Sequence, residues 1–265
     1  MCRACRPKPE IERAHRLIEQ TLSWLGLIRP GCGRAQGGAP REILDGLTLD
    51  LNRLWDELLA ALEETIVVVG GIAVLDESAL QSLLISMQSR FESLLTGAIE
   101  AALKAGLEHA AEQLDIEIVF GGVDASQLSA LQGQAVNLCE NTLAKISGDV
   151  HQSLMESVRL QENMTQAIAR LQSISSLTPY EAERIARTEL AKAANTGRLL
   201  GYKGRAAFVV WVLGPTYRGG CECGDFAGKV YTLDEAMGMS MPLHPNCDCM
   251  WRPATDEEVQ EYLAA

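Results

Sequence analysis

The sequence predicts a mainly α-helical protein, with an elongated N-terminal helical region followed by a small α+β domain at the C-terminus. Three observations carry that expectation. Leu and Ala are abundant while Phe, Trp and Tyr make up only 5% of the chain, a balance that favours helices over sheets. Apolar residues recur at spacings of three and four through most of residues 41–172, the period of helices with one buried face. Near Ser173 the pattern changes to shorter elements with a β-branched run and a concentration of cysteines. The expected organisation is therefore a basic helical arm with a Gly/Pro linker (1–40), a long-helix bundle (41–172) and an α+β domain (173–265).

The arm opens with Cys2-x-x-Cys5, followed by a helical stripe of Ile11, Ala14, Leu17, Leu22, Leu25 and Ile28 with His15 one position off it. The next residues, Arg29 to Pro40, include Cys32 and are dense in Gly and Pro, the composition of a flexible linker. A second helix follows to about Ile66 on Leu44, Leu47, Leu51, Leu54, Leu58 and Leu62. Val67 to Leu75 is broken by Gly70-Gly71 and reads as a buried turn or an extended piece. Asp76 is placed to cap a helix whose stripe runs Leu80, Leu83, Met87, Phe91, Leu94, Ala98 and Ala102 on to Leu114, a length of roughly sixty ångströms. Ile116 to Phe120 is short and β-branched. Asp124 or Ser126 caps a further helix on Leu128, Leu131, Ala135, Leu138, Thr142, Ile146, Val150 and Leu154, which Val158, Ile168 and Leu171 extend. His109 and His151 fall in helical pattern without partners at a metal-binding spacing.

Thr178-Pro179-Tyr180-Glu181 has the form of a helix start, with Thr as N-cap, Pro at the first helical position and Glu returning to the cap. The helix it opens runs to about Leu200 on a stripe of small residues: Ala182, Ala186, Ala193 and Gly197. Arg187, Thr188 and Glu189 are consecutive on it, so they point about 100° apart and do not converge as a catalytic trio. Ala206 to Leu213 is the best strand in the chain, Lys229 to Thr232 a possible second. Met237, Met239 and Met241 read as packing residues, and Thr255-Asp-Glu-Glu258 as a last capping box.

Charge is unevenly placed. Residues 1–35 carry seven Lys/Arg against three Asp/Glu, residues 36–170 seven against twenty, and residues 171–265 nine against twelve. The overall balance of −12 argues against a protein that coats nucleic acid, while the basic arm has the charge to meet DNA or an acidic partner. Ile66 to Leu75, the longest apolar run, is far short of the roughly twenty residues that cross a bilayer, and the first residues have no apolar core of a secretory signal. Synthesis in a reducing cytoplasm, with no membrane partner, is the expectation.

Four of the eight cysteines lie between Cys221 and Cys249 as Cys221-x-Cys223 and His244-Pro-Asn-Cys247-Asp-Cys249. Thiolates and an imidazole from two short loops suit a tetrahedral Zn²⁺ site. Five candidate ligands compete for four places, and structural thiols or a disulfide are the alternative.

In order, Arg184-x-x-Arg187-Thr188-Glu189, Asn195-x-Gly197-Arg198, Tyr202, Trp211 in the strand, the cysteine pair, Gly228-Lys229-Val230-Tyr231 and His244-Pro245-Asn246-Cys247-x-Cys249 resemble the phage Mu F-like minor head protein domain. The resemblance covers residues 170–254. The family spaces its first cysteines as Cys-x-x-Cys, so here Cys221 is the shifted ligand, and Asp248 stands where the family often has Arg. The resemblance implies a minor capsid protein acting near the portal in head morphogenesis, in several copies per particle, with portal or major capsid protein as partner. Some members remain in the head and leave with the DNA. The other function classes are a virion-carried zinc-supported nuclease or transferase, for which Glu189 with Arg187 is the only nameable candidate pair, and a DNA-binding adaptor using the basic arm. A closed site with four protein ligands leaves no place for a reactive water, which favours the structural class.

Overall fold

The computed structural model describes residues 39–115, 125–174, 178–215 and 217–264. The arm and its linker up to residue 38, with Cys2, Cys5, His15 and Cys32, and the short β-branched run Ile116–Phe120, lie outside them. Where described, the chain is mainly helical, with a small sheet near its C-terminus. It divides into two compact units, each discontinuous in sequence. Within the described residues one comprises 44–101 and 125–186, the other 39–43, 102–115 and 187–264.

The first unit takes helix α1 (Arg41–Glu64) from Leu44 on, strands β1 (Ile66–Val69) and β2 (Ile72–Leu75), helix α2 (Glu77–Gln113) as far as Ala101, helix α3 (Ala125–Arg159) and helix α4 (Met164–Leu171); the last turns of α2, from Ala102, belong to the second unit. The leucine stripe of α1 is buried as its period requires, at Leu47, Leu51, Leu54, Leu58 and Leu62 with Trp55. Trp55 meets Phe91 of α2 edge to face, ring centroids 5.1 Å apart. Asp76 caps α2 by accepting from the Ala79 N–H at 3.0 Å, and α2 runs for 37 residues.

Three expectations are corrected here. The second half of the α2 stripe is rotated: Leu95 and Ile99 are buried in place of Leu94 and Ala98, and in α3 Cys139 and Leu143 replace Leu138 and Thr142. Both flanks are apolar, so periodicity alone does not choose between neighbouring positions on the wheel. The helix on α3 does not continue to Leu171. It stops at Arg159, the chain turns through Gln161 at φ 54°, and Asn163 with Gln166 forms a capping box that starts α4 afresh. Val67–Leu75 is neither a buried turn nor a single extended piece. Gly70 and Gly71, at φ 62° and 86°, make a two-residue turn that joins β1 and β2 as an antiparallel hairpin, because both central residues of such a turn need positive φ. Its inner strand β2 packs on α3 and α4.

In the second unit, helix α5 (Pro179–Tyr202) leads to β3 (Phe208–Val212), the short helix α6 (Cys223–Phe226), β4 (Val230–Thr232), α7 (Leu233–Gly238), β5 (Met250–Pro253) and α8 (Asp256–Ala264). Small residues on α5 let it lie against the last turns of α2 with backbone nearly touching backbone. A Cβ on Gly197 would collide with the Leu103 carbonyl, one on Gly106 with the Ala194 carbonyl, and one on Gly201 with the Ala110 methyl. The sheet has the order β4-β3-β5, antiparallel throughout. Strand β5, which sequence pattern does not reveal, pairs Trp251 with Trp211, their rings edge to face at 5.1 Å. Behind this sheet the buried core joins Tyr202, Val209, Trp211 and Trp251 to Cys223, Cys247 and Cys249, with Met241 buried beside them and Met239 partly so, as packing residues.

Candidate metal centre

Two chain segments deliver the ligands. Gly219 and Gly220, at φ 83° and 78°, turn the chain into Cys221, and Cys223 begins the single turn of α6. The second segment enters at His244, turns through Asn246 at φ 62°, closes a bond from the Cys247 N–H to the His244 carbonyl at 3.2 Å, and leaves into β5 after Cys249. All five predicted ligands come together. Cys221, Cys223 and His244 form one group, Cys223, Cys247 and Cys249 another, with the ligand atoms of each group within 4.8 Å of one another. Cys223 belongs to both. Its Sγ lies 3.2 Å from His244 Nε2 and 3.6 Å from Cys247 Sγ. None of these cysteines is in a disulfide.

The side chains are set for ligation. His244 Nδ1 is 2.9 Å from the Pro245 carbonyl, a bond that requires the Nδ1–H tautomer and leaves the Nε2 lone pair aimed at the cysteines. The Gly214 N–H donates to Cys249 Sγ and favours its thiolate. A Cβ on Gly214 would collide with Asp248, so a glycine there is what lets this backbone approach. Cys223, Cys247 and Cys249 are buried to 3% exposure or less. Burial and then the neighbouring Cys249 push the Cys223 thiol up, and the Cys247 sulfur and burial do the same for Cys249. Such a group of thiols stays protonated until a cation compensates the charge. The cluster can hold a metal ion.

Of the other predicted residues, Thr188 and Asn195 hold this loop rather than join it. Thr188 Oγ1 accepts the Asn246 N–H at 3.2 Å. Asn195, buried, has its amide fully used: Nδ2 donates to the Ala191 and Cys249 carbonyls at 3.0 Å, and Oδ1 accepts from the Trp251 N–H and from Arg198 Nη1 at 3.2 Å. Arg198 is buried at 3%, and that burial draws its pKa down. Gly228, at φ 71°, and Lys229 act through their backbones: the Gly228 N–H donates to the Trp211 carbonyl at 2.9 Å and the Trp211 N–H to the Lys229 carbonyl at 3.2 Å. Glu189 pairs with Lys192 at 2.9 Å, and Arg187 is half-buried on α5. Arg184, in the first unit, pairs with Glu181 at 2.6 Å, and the Glu181 N–H donates to Thr178 at the expected cap. His151 is satisfied by the Ser147 carbonyl and Glu77. Among the described residues no helix is long and apolar enough to cross a membrane. Comparison with protein-family models, curated proteins and solved structures found no match.

Proposed function

We propose that the chain is a minor capsid protein of a tailed double-stranded DNA phage, and that its C-terminal unit is stapled by one structural zinc ion. The zinc reading rests on spacing. Four ligands around a bond of about 2.3 Å stand about 3.8 Å apart in a tetrahedron, and Cys223 Sγ is 3.6 Å from Cys247 Sγ. Cys223, His244 and Cys247 would be joined by Cys249, with Cys221 spare, or by Cys221. With every position filled by protein, the ion would supply fold stability and no bound water for hydrolysis.

The observation that carries the head-protein reading is the role geometry gives to the ordered motifs. Thr188 and Asn195 lie more than fifty residues before the loop they hold, and Gly228-Lys229 bonds the strand beside it. Thr188, Asn195 and Gly228-Lys229 of the series that resembles the Mu F-like domain thus act as struts of the cysteine loop and its sheet, a structural use that supports the head-protein reading. In this reading the helical unit docks on the portal or inner capsid wall in several copies, and the basic arm meets packaged DNA. Quantitative mass spectrometry of purified particles, with portal and major capsid protein as references, tests it. A low, fixed ratio to portal is expected. Absence from both procapsids and virions would overturn it.

A further inference from the structure

Strand β1 stands at the edge of a two-stranded sheet, and its chemistry is unusual for an edge. The ten residues Ile66 to Leu75 read Ile-Val-Val-Val-Gly-Gly-Ile-Ala-Val-Leu, without one polar or charged side chain. Natural edge strands are usually blunted by Lys, Pro or a bulge, and β1 has none of these. Ile66 and Ala73 anchor the hairpin, at 4% and 0% exposure, whereas Val67, Val68 and Val69 are 41%, 54% and 63% exposed. Successive strand residues point to opposite faces, so among the described residues both faces of β1 are open from Val67 to Val69.

The register shows which backbone groups the edge offers. Val69 pairs with Ile72 across the two-residue turn and Val67 with Val74; the Asp76 N–H donates to the Thr65 carbonyl at 2.8 Å, which continues the same alternation. The hydrogen-bonded positions facing β2 are therefore 65, 67 and 69, and the N–H and C=O of Val68 point away from β2.

We propose that this edge pairs with the β1 edge of a second copy of the chain, antiparallel about a twofold axis through Val68. In that arrangement the two Val68 residues exchange both backbone bonds, and Val67 of each copy lies opposite Val69 of the other. Charge selects the orientation. The hairpin is flanked only by acids at its base, Glu63 and Glu64 before it and Asp76 and Glu77 after it. Antiparallel pairing sends the two acidic bases to opposite ends, about 20 Å or more apart at 3.4 Å per residue, beyond the screening length of roughly 8 Å at physiological salt. Parallel pairing would set acid beside acid. Two four-residue edges bury only a few hundred Å² per copy, below the roughly 800 Å² of a stable interface, so the dimer is reversible and concentration-dependent.

The test uses the full chain, by sedimentation velocity from roughly 1 to 300 µM, the span an interface of this size calls for, with hydrogen exchange by mass spectrometry at both ends of the range. The sedimentation coefficient should rise with concentration, and the Val68 amide, which faces away from β2, should gain protection only at the high end. V68K sets two like charges opposite each other and should weaken the dimer about tenfold or more. Three results would overturn the proposal: a monomer throughout, a dimer that V68K leaves unchanged, or protection of the Val68 amide in a monomer at the lowest concentration, which would mean that another part of the same chain covers the edge. The exchange arm needs no variant, so misfolding of V68K would not leave the question open.

Discussion

Cys223 belongs to both ligand groups, so Cys223→Ser disables the site whichever fourth ligand is used. Its Sγ sits within 3.6 Å of Cys247 Sγ and 3.2 Å of His244 Nε2, and the residue is 1% exposed. A hydroxyl there is a poor zinc ligand and leaves the remaining buried thiols without a compensating ion. At free zinc a thousandfold above the dissociation constant, binding stabilises the folded unit by about 4 kcal/mol. For a domain of this size, at ~4–8 °C per kcal/mol, its loss lowers the melting temperature by about 20 °C. The assay pairs metal content by mass spectrometry with thermal unfolding in the presence and absence of a chelator. Wild type should carry one zinc per chain and fall to the variant's melting temperature when chelated. The apparent zinc affinity should weaken as pH falls, because the Cys223 thiol, held up by burial and then by Cys249, and the Cys249 thiol, held up by Cys247 and then by burial, must release protons to bind. C223S with stoichiometric zinc, or a chelated wild type that melts unchanged, would refute the argument. A well-folded, metal-free His244→Ala protein would refute it equally.

Further outcomes follow from the surrounding contacts. Asn195→Ala leaves the Trp251 N–H and the Cys249 carbonyl without their side-chain partner, and urea unfolding should show a loss of about 2–4 kcal/mol; Asn195→Asp, which cannot donate, should not restore it. Gly197→Leu forces α5 away from the Leu103 carbonyl and should cost about 3 kcal/mol or more in the same assay. Arg252, and then the Thr255 N–H, hold the Glu258 carboxyl down at about 2. That folded value lies below the ordinary one of about 4.3, so its stabilisation is present above pH ~4 and is lost as pH falls toward 2. Arg252→Gln should flatten the acid limb of a stability–pH curve there. The Ser147 carbonyl, and then Glu77, raise His151 above its ordinary value. Its contribution is complete below pH ~6.5 and is lost as pH rises through the raised value, a small term at an exposed pair that Glu77→Gln should reduce.

What could be read before the structure was whatever residue identity encodes locally. The Asp76 and Thr255 caps, the small stripe of α5, the strand expected within Ala206–Leu213 and found at Phe208–Val212, and the convergence of Cys221, Cys223, His244, Cys247 and Cys249 all stand. Asn163–Gln166 has the residues of a capping box, a local start signal that the apolar period of Val158, Ile168 and Leu171 runs straight across. The phase of α2 and α3 was not legible, because Leu94 and Leu95, or Leu138 and Cys139, are each apolar and only the neighbouring helices decide which one is buried. Strand β5 escaped because Met-Trp-Arg-Pro has no alternation of its own; it is a strand by virtue of β3 and the Asn195 amide.

The clamps explain why a series of weak motifs can be specific together. A cysteine or a histidine announces its chemistry, but nothing in Thr188 or Asn195 says that it will bond a backbone atom more than fifty residues away. Each is an ordinary helix residue until the second segment docks. Asn195 has four bonds to make and finds all four only when α5, the Cys249 carbonyl and the Trp251 N–H are in register, so a one-residue slip of the loop leaves buried polar groups unpaired at about 1–3 kcal/mol each. The ligands are then held in place before any ion arrives, with His244 already in the tautomer that ligates. If zinc binds there, its binding energy would go to stabilising the unit rather than to ordering the loop. Thr188→Val separates these terms: the loop loses one tether at Asn246, and zinc should bind more weakly while a melting temperature measured under chelator changes little. If zinc binds Thr188→Val as tightly as wild type, the tether does not preorganise the site.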